Sequence, residues 1–169
     1  MAKQKYTSAG TSINKNKLPR IYGILPKLYG LPLNQLGLTL DYGCGKYFHD
    51  YNLPGNIRGY DPFNLREEEN LCNHYRNVLL SNVLNVIAEP EIRHEVLETA
   101  KSLGDVVYVT IYEGDKSGIG SETKEDCYQL NRRTREYRPE LEAVFGAVEY
   151  KYGMFKCYTP DILGCPVSL

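Results

Sequence analysis

Leu38-Thr39-Leu40-Asp41-Tyr42-Gly43-Cys44-Gly45 decides how this 169-residue chain is read. Leu38–Asp41 has the apolar character of a short buried strand, and Tyr42–Gly45 follows as a tight glycine turn. Glycine there allows the backbone to pass close to a ligand and present its N–H groups. A second short strand, Ile57–Asp61, is stopped by Pro62 and also ends on an acid. Two acids at the carboxyl ends of neighbouring strands lie where open α/β sheets bind ligands.

Outward from this pair, Asn77–Asn82 is centred on the apolar run Val78-Leu79-Leu80 and suits a strand buried on both faces. Residues 89–103 read as a helix. Pro90 lies in its first turn, Lys101 in its last, and Gly104 follows as the expected C-terminal cap. Ile92, Val96, Ala100 and Leu103 recur on one face. Val106–Tyr112 reads as another buried strand, Glu113–Asp126 as a polar loop, and Pro139–Phe145 as a helix. Ala147–Tyr152 and Met154–Tyr158 read as an antiparallel strand pair joined by a tight turn. This order predicts an α/β fold with a mainly parallel sheet.

Upstream, residues 13–37 mix prolines and glycines, with room for a short helix over Ile24–Tyr29. Residues 1–37 are expected to form a basic arm or lid whose first dozen residues are mobile. Residues 38–158 form the domain, and 159–169 an irregular tail. Residues 1–40 carry six basic side chains and no acid, which leaves −7 for the rest of a chain of net charge −1. Such an arm can steer toward phosphate or simply be a solvated tail.

Composition excludes other classes. At 42% hydrophobic and 24% charged residues, the chain is an ordinary globular one. It has no apolar run of membrane-spanning length and no apolar secretory leader. Five cysteines without a Cys-x-x-Cys pair suit a reducing cytoplasm, and three scattered histidines give no metal spacing.

The glycine turn distinguishes nucleotide chemistries. A dinucleotide fingerprint needs a third glycine where this chain has Phe48, and a triphosphate loop needs Gly-Lys-Ser or Gly-Lys-Thr where it has Gly45-Lys46-Tyr47. Asp-x-Gly-x-Gly, with an acid one strand later, resembles the first motif and following acid of class I methyltransferases that use S-adenosylmethionine. Ser81–Ile87 resembles the segment after that family's fourth strand. Gly59–Asn64, Val83–Pro90, Tyr112–Asp115 and Asn131–Thr134 look like stretches of small phage-encoded methyltransferase-like proteins.

The resemblance implies a three-layer Rossmann-like sheet, mostly parallel, with an antiparallel C-terminal pair. Sixteen residues between Asp61 and Val78 leave it reduced between the second and fourth strands. The cofactor implied is S-adenosylmethionine. Asp41, Gly43 and Gly45 would line its methionine part, Asp61 its ribose, Pro62 and Phe63 its adenine, with Asn82 and Val83 closing one side. Glu113 or Asp115 would serve as base if desolvation raised its pKa. Asn85, Tyr112, Arg132 and Arg133 are the candidate acceptor-binding residues, the arginines as a phosphate clamp.

The reading is therefore methyl transfer to a nucleotide, nucleic acid or small metabolite, in the cytoplasm (that of a host if the chain is phage-encoded). The alternatives are a non-catalytic protein that binds the cofactor and contacts a host or nucleic-acid partner, and an enzyme that breaks the cofactor down. The segment after the fourth strand, Ser81-Asn82-Val83-Leu84, lacks the Pro-Pro-aromatic of exocyclic-amine methyltransferases. No Pro-Cys nucleophile of the cytosine carbon-5 type is present.

Overall fold

A computed structural model of the chain describes residues 4–11 and 15–159. Six strands form one sheet in the order β2-β1-β3-β4-β8-β7. They are β1 (Thr39–Tyr42), β2 (Ile57–Tyr60), β3 (Tyr75–Ser81), β4 (Gly104–Thr110), β7 (Val148–Lys151) and β8 (Met154–Tyr158). The first four are parallel; β8 runs antiparallel to β4, and β7 antiparallel to β8. The fold is a Rossmann-like α/β sheet with helices on both faces.

One face carries α2 (Pro90–Leu103) and α3 (Arg138–Phe145). Leu97 and Ala100 of α2 and Leu141 of α3 pack there with Leu40, Val78, Leu80, Val107, Val109 and Phe155. The opposite face is covered by α1 (Ile21–Tyr29), whose Ile21, Tyr22, Ile24 and Leu25 pack with Leu79, Tyr108 and Met154. The period-2 alternation of β3 sends Val78 and Leu80 to one face and Leu79 to the other, which is why these three run apolar without interruption. The helix expected at Ile24–Tyr29 begins three residues earlier, and Pro26 is accommodated inside it.

The sheet is reduced where the sequence is short. Between β2 and β3 there is a 3-10 turn, Glu68–Cys72, and no strand beyond β2 among the described residues. Asn70 takes that edge instead: buried, it donates Nδ2 to the Gly59 carbonyl at 2.9 Å. A side-chain amide thus satisfies a backbone acceptor on an edge strand.

Gly104 stands at the C-cap position of α2 as expected, in extended form: at φ −160° it is also the first residue of β4. Glycine is needed there for close approach, since a Cβ would lie 2.9 Å from the Tyr75 carbonyl oxygen and 2.7 Å from Val78. The segment read as a loop over Glu113–Asp126 instead contributes β5 (Gly120–Lys124), which pairs with β6 (Cys127–Leu130) in a separate two-stranded sheet. Its exposed residues alternate too weakly to announce a strand.

The turn between β7 and β8 is Tyr152-Gly153, both at positive φ, the geometry that suits a two-residue hairpin. The expected tail, apart from Thr159, lies outside the described residues.

Candidate functional site

The chain leaves β1 for β2 on one side and β3 for β4 on the other, so the strand order reverses beside β1 and β3. Open α/β sheets hold ligands at such a switch point, above the carboxyl ends of the strands. A cavity of about 820 Å³ lies there, within the roughly 300–1,000 Å³ of small-molecule sites.

Seven of the eight residues assigned to a cofactor come together in its wall: Gly43, Gly45, Asp61, Pro62, Phe63, Asn82 and Val83. The eighth, Asp41, is buried near the glycine turn and does not line the cavity. Gly43 sits at φ +84° and Gly45 at φ +72°. A Cβ on Gly43 would approach Val83 Cγ2 to 2.6 Å, so the turn after β1 and the segment after β3 touch only because the residue is glycine.

The turn does not present its amides as expected. The Gly43 and Cys44 N–H groups donate to the Tyr60 carbonyl at 2.7 and 3.2 Å, and the Gly45 N–H donates to Asp61 Oδ2 at 3.0 Å. Asp61 Oδ1 accepts from the Phe63 N–H (2.9 Å), the Asn64 N–H (2.8 Å) and Asn64 Nδ2 (3.1 Å). Asp61 therefore ties the glycine turn to the Pro62–Asn64 turn, with remaining acceptor capacity on Oδ2.

Beneath them, Tyr22 donates its hydroxyl to Asp41 Oδ2 at 2.5 Å, and Asp41 Oδ1 is buried without a partner. Burial pushes the Asp41 carboxyl up to about 7; the Tyr22 hydrogen bond opposes this and the Asp61 charge adds to it. Burial likewise pushes the Cys44 thiol far up, so it stays protonated.

The candidate bases are placed differently from the expectation. Neither Glu113 nor Asp115 lines the cavity. Glu113 Oε1 accepts from the Thr134 N–H at 2.8 Å and its carboxylate lies 3.5 Å from Lys116. The Thr134 amide holds its pKa below the usual value. Exposed Asp115 is also lowered, by the Ser117 side chain and then its N–H. Both are acids of a loop that they cap, and neither has the raised pKa expected of a base.

Of the candidate acceptor-binding residues, Asn85 and Tyr112 line the cavity and the arginines do not. Arg132 pairs with Glu140 at 2.8 Å, donates to the Glu136 carbonyl and lies 4.0 Å from the Tyr137 ring centroid. Glu140 in turn holds buried Arg93 at 2.7 Å. Arg138 pairs with Glu142, and Arg135 stacks over Tyr150. Three of the four arginines thus brace α3 and the terminal strand pair rather than forming a phosphate clamp. Arg133 is exposed outside the cavity.

The largest part of the site missed by sequence reasoning is its cover. Residues 7–11 line the cavity and are stitched to the β5–β6 hairpin. Thr7 donates its N–H (2.9 Å) and its hydroxyl to the Asp126 carboxylate. The Ser8 hydroxyl donates to the Val86 carbonyl at 3.0 Å and accepts from the Tyr128 N–H at 3.2 Å. Lys124 Nζ donates to the Gly10 carbonyl at 2.7 Å, and Tyr6 stacks on Tyr128 at 5.4 Å. The described part of the first dozen residues is thus a bonded strap, not a mobile tail. Contacts across more than 110 residues leave no local signal in sequence.

Among the described residues, no helix is long and apolar enough to cross a membrane, and no His, Cys, Asp or Glu cluster is placed to hold a metal ion. No protein-family model and no curated protein matches the sequence. Among solved structures, the chain is similar to the N-terminal domain of EvdMO1 in the presence of SAH and D-fucose: 10% identity, TM-score 0.44, over 82% of this chain and 79% of that one. A second structure of that domain, with SAH bound, gives 10% identity and TM-score 0.45 over 86% and 79%.

Proposed function

We propose that the chain binds S-adenosylmethionine in this cavity and transfers its methyl group to a small acceptor. The observation that carries the reading is the electrostatics of the glycine turn. Its N–H groups are committed to Tyr60 and Asp61, and two carboxyl groups, Asp41 and Asp61, adjoin it. A phosphate loop does the reverse: it aims free amides at an anion. This turn suits a nucleoside ligand that carries positive rather than negative charge, which is the description of a sulfonium cofactor with an α-ammonium group. Phosphorylated dinucleotides and triphosphates find no free amide in this turn, where Asp61 stands instead.

The chain's residues divide the work. Asp61 Oδ2 has capacity for one ribose hydroxyl. Phe63, 42% exposed at the cavity wall, offers a face for adenine. Asn82 and Val83 bound the opposite side. The cofactor supplies an already activated methyl group, so the protein's task is alignment and exclusion of water. This agrees with a cavity wall whose only described carboxylate is Asp61 and which contains no histidine. The acceptor must then be a nucleophile that needs no side-chain base.

Calorimetric titration with S-adenosylmethionine and S-adenosylhomocysteine tests the reading. Both should bind, and Phe63→Ala should weaken them about tenfold without shifting the unfolding midpoint, by loss of one stacking face. Equal affinity in wild type and Phe63→Ala, or binding of neither ligand, overturns it.

A further inference from the structure

Beyond the glycine turn, the cavity wall contains a row of amides with one acceptor left over. Gln129 Nε2 donates to the Tyr112 carbonyl at 3.1 Å and the Leu130 carbonyl at 2.8 Å. Two carbonyls on one end of the amide fix that end as nitrogen, because oxygen there would face two acceptors. Gln129 Oε1 is therefore turned to Asn85, whose Nδ2 donates to it at 3.1 Å. The same logic fixes the Asn85 amide: its nitrogen is spent on Gln129, and Oδ1 is the remaining atom. That oxygen is buried and has no hydrogen-bond partner, in a residue only 2% exposed. An orphaned carbonyl in a bonded network is costly, and calls for a role or a partner that completes the set.

The surroundings restrict what could complete it. Asn85, Gln129, Tyr112 and Tyr128 all line the cavity, and Tyr112 is 60% exposed. Aromatic side chains in the same cavity wall suit a flat ring. A neutral amide oxygen accepts from an uncharged donor without the ion pair that a cationic substrate would need.

We infer that the space beside the cofactor takes a neutral planar ring that presents an N–H or O–H donor to Asn85 Oδ1. This rests on the methyl-transfer reading and names its acceptor class. Gln129 acts as a positioning residue that holds the Asn85 amide in its productive orientation.

The test uses the full chain saturated with S-adenosylhomocysteine and two probe pairs: 9-methyladenine against N6,N6,9-trimethyladenine, and catechol against 1,2-dimethoxybenzene. At least one donor-bearing probe should bind ten or more times tighter than its methylated partner, since the latter leaves Oδ1 unpaired. Asn85→Ala should erase the preference, and Gln129→Leu should reduce it. The wild-type comparison within each pair stands even if a variant folds poorly. Binding of S-adenosylhomocysteine with no preference in either pair, or with no probe bound, overturns the inference and leaves the cofactor reading intact. Failure to bind S-adenosylhomocysteine itself overturns both, and is read in a separate titration.

Discussion

Gly45 donates its backbone N–H to Asp61 Oδ2 at 3.0 Å, which joins the turn after β1 to the end of β2. Together with the three donors on Oδ1, this makes Asp61 a brace for two cavity turns as well as a wall residue. Asp61→Ala leaves three backbone amides and one side-chain amide seeking partners. It should therefore lower unfolding free energy by about 2–4 kcal/mol, read by urea denaturation. A variant as stable as wild type would show that the turns hold themselves.

The Asp41 carboxyl gives the fold a pH dependence. Its pKa rises on folding to about 7, so between about 4 and 7 the native state binds more protons than the unfolded chain. Its contribution to stability therefore falls as pH rises through that window and levels off above it. Asp41→Asn should flatten this part of the profile, measured as urea midpoints across the window. An unchanged slope in the variant would assign the dependence to other groups.

Gly43 and Val83 test the contact between the two sides of the cavity floor. Gly43→Ala puts a methyl 2.6 Å from Val83 Cγ2 at a φ of +84°. It should cost about 2–3 kcal/mol from backbone strain and overlap. Val83→Ala in the same chain should recover the overlap part, about 1 kcal/mol, and leave the strain. Strict additivity of the two substitutions would show that the side chains do not meet.

The strap over the cavity is tied chiefly by Asp126. The Thr7 hydroxyl and then its N–H hold the Asp126 pKa below its usual value. A lowered carboxylate pKa stabilises above the unfolded value and is lost as pH falls through the folded one. Protection of the residue 5–10 amides, corrected for the intrinsic exchange rate, should fall below about pH 4. Asp126→Asn should produce the same loosening at neutral pH, since asparagine keeps the positive φ of this turn but gives up the charged acceptor. Exchange that is slow and identical in both proteins would place the restraint in Ser8 and Tyr6 instead.

The sequence alone determined the order along the chain of the elements that build the main sheet. Short stretches with apolar centres at Leu38–Asp41, Ile57–Asp61 and Asn77–Asn82 suit strands of this length, and the short connection before Tyr75 left no room for a further strand. The clustering of Gly43, Gly45, Asp61 and Asn82 was legible for the same reason: residues at strand ends share one edge whatever the side chains do elsewhere. What each polar group faces was decided by tertiary structure. Glu113 looked like a base until the Thr134 amide met it, and the arginines of 132–138 looked like a clamp until Glu140, Glu142 and Tyr150 engaged them. The strap of residues 7–11 and the hairpin under it gave no periodic signal, because they are held by hydrogen bonds between residues more than a hundred positions apart. Burial patterns repeat along a chain and can be read from it; a hydrogen bond between distant residues has a partner only once the chain has folded.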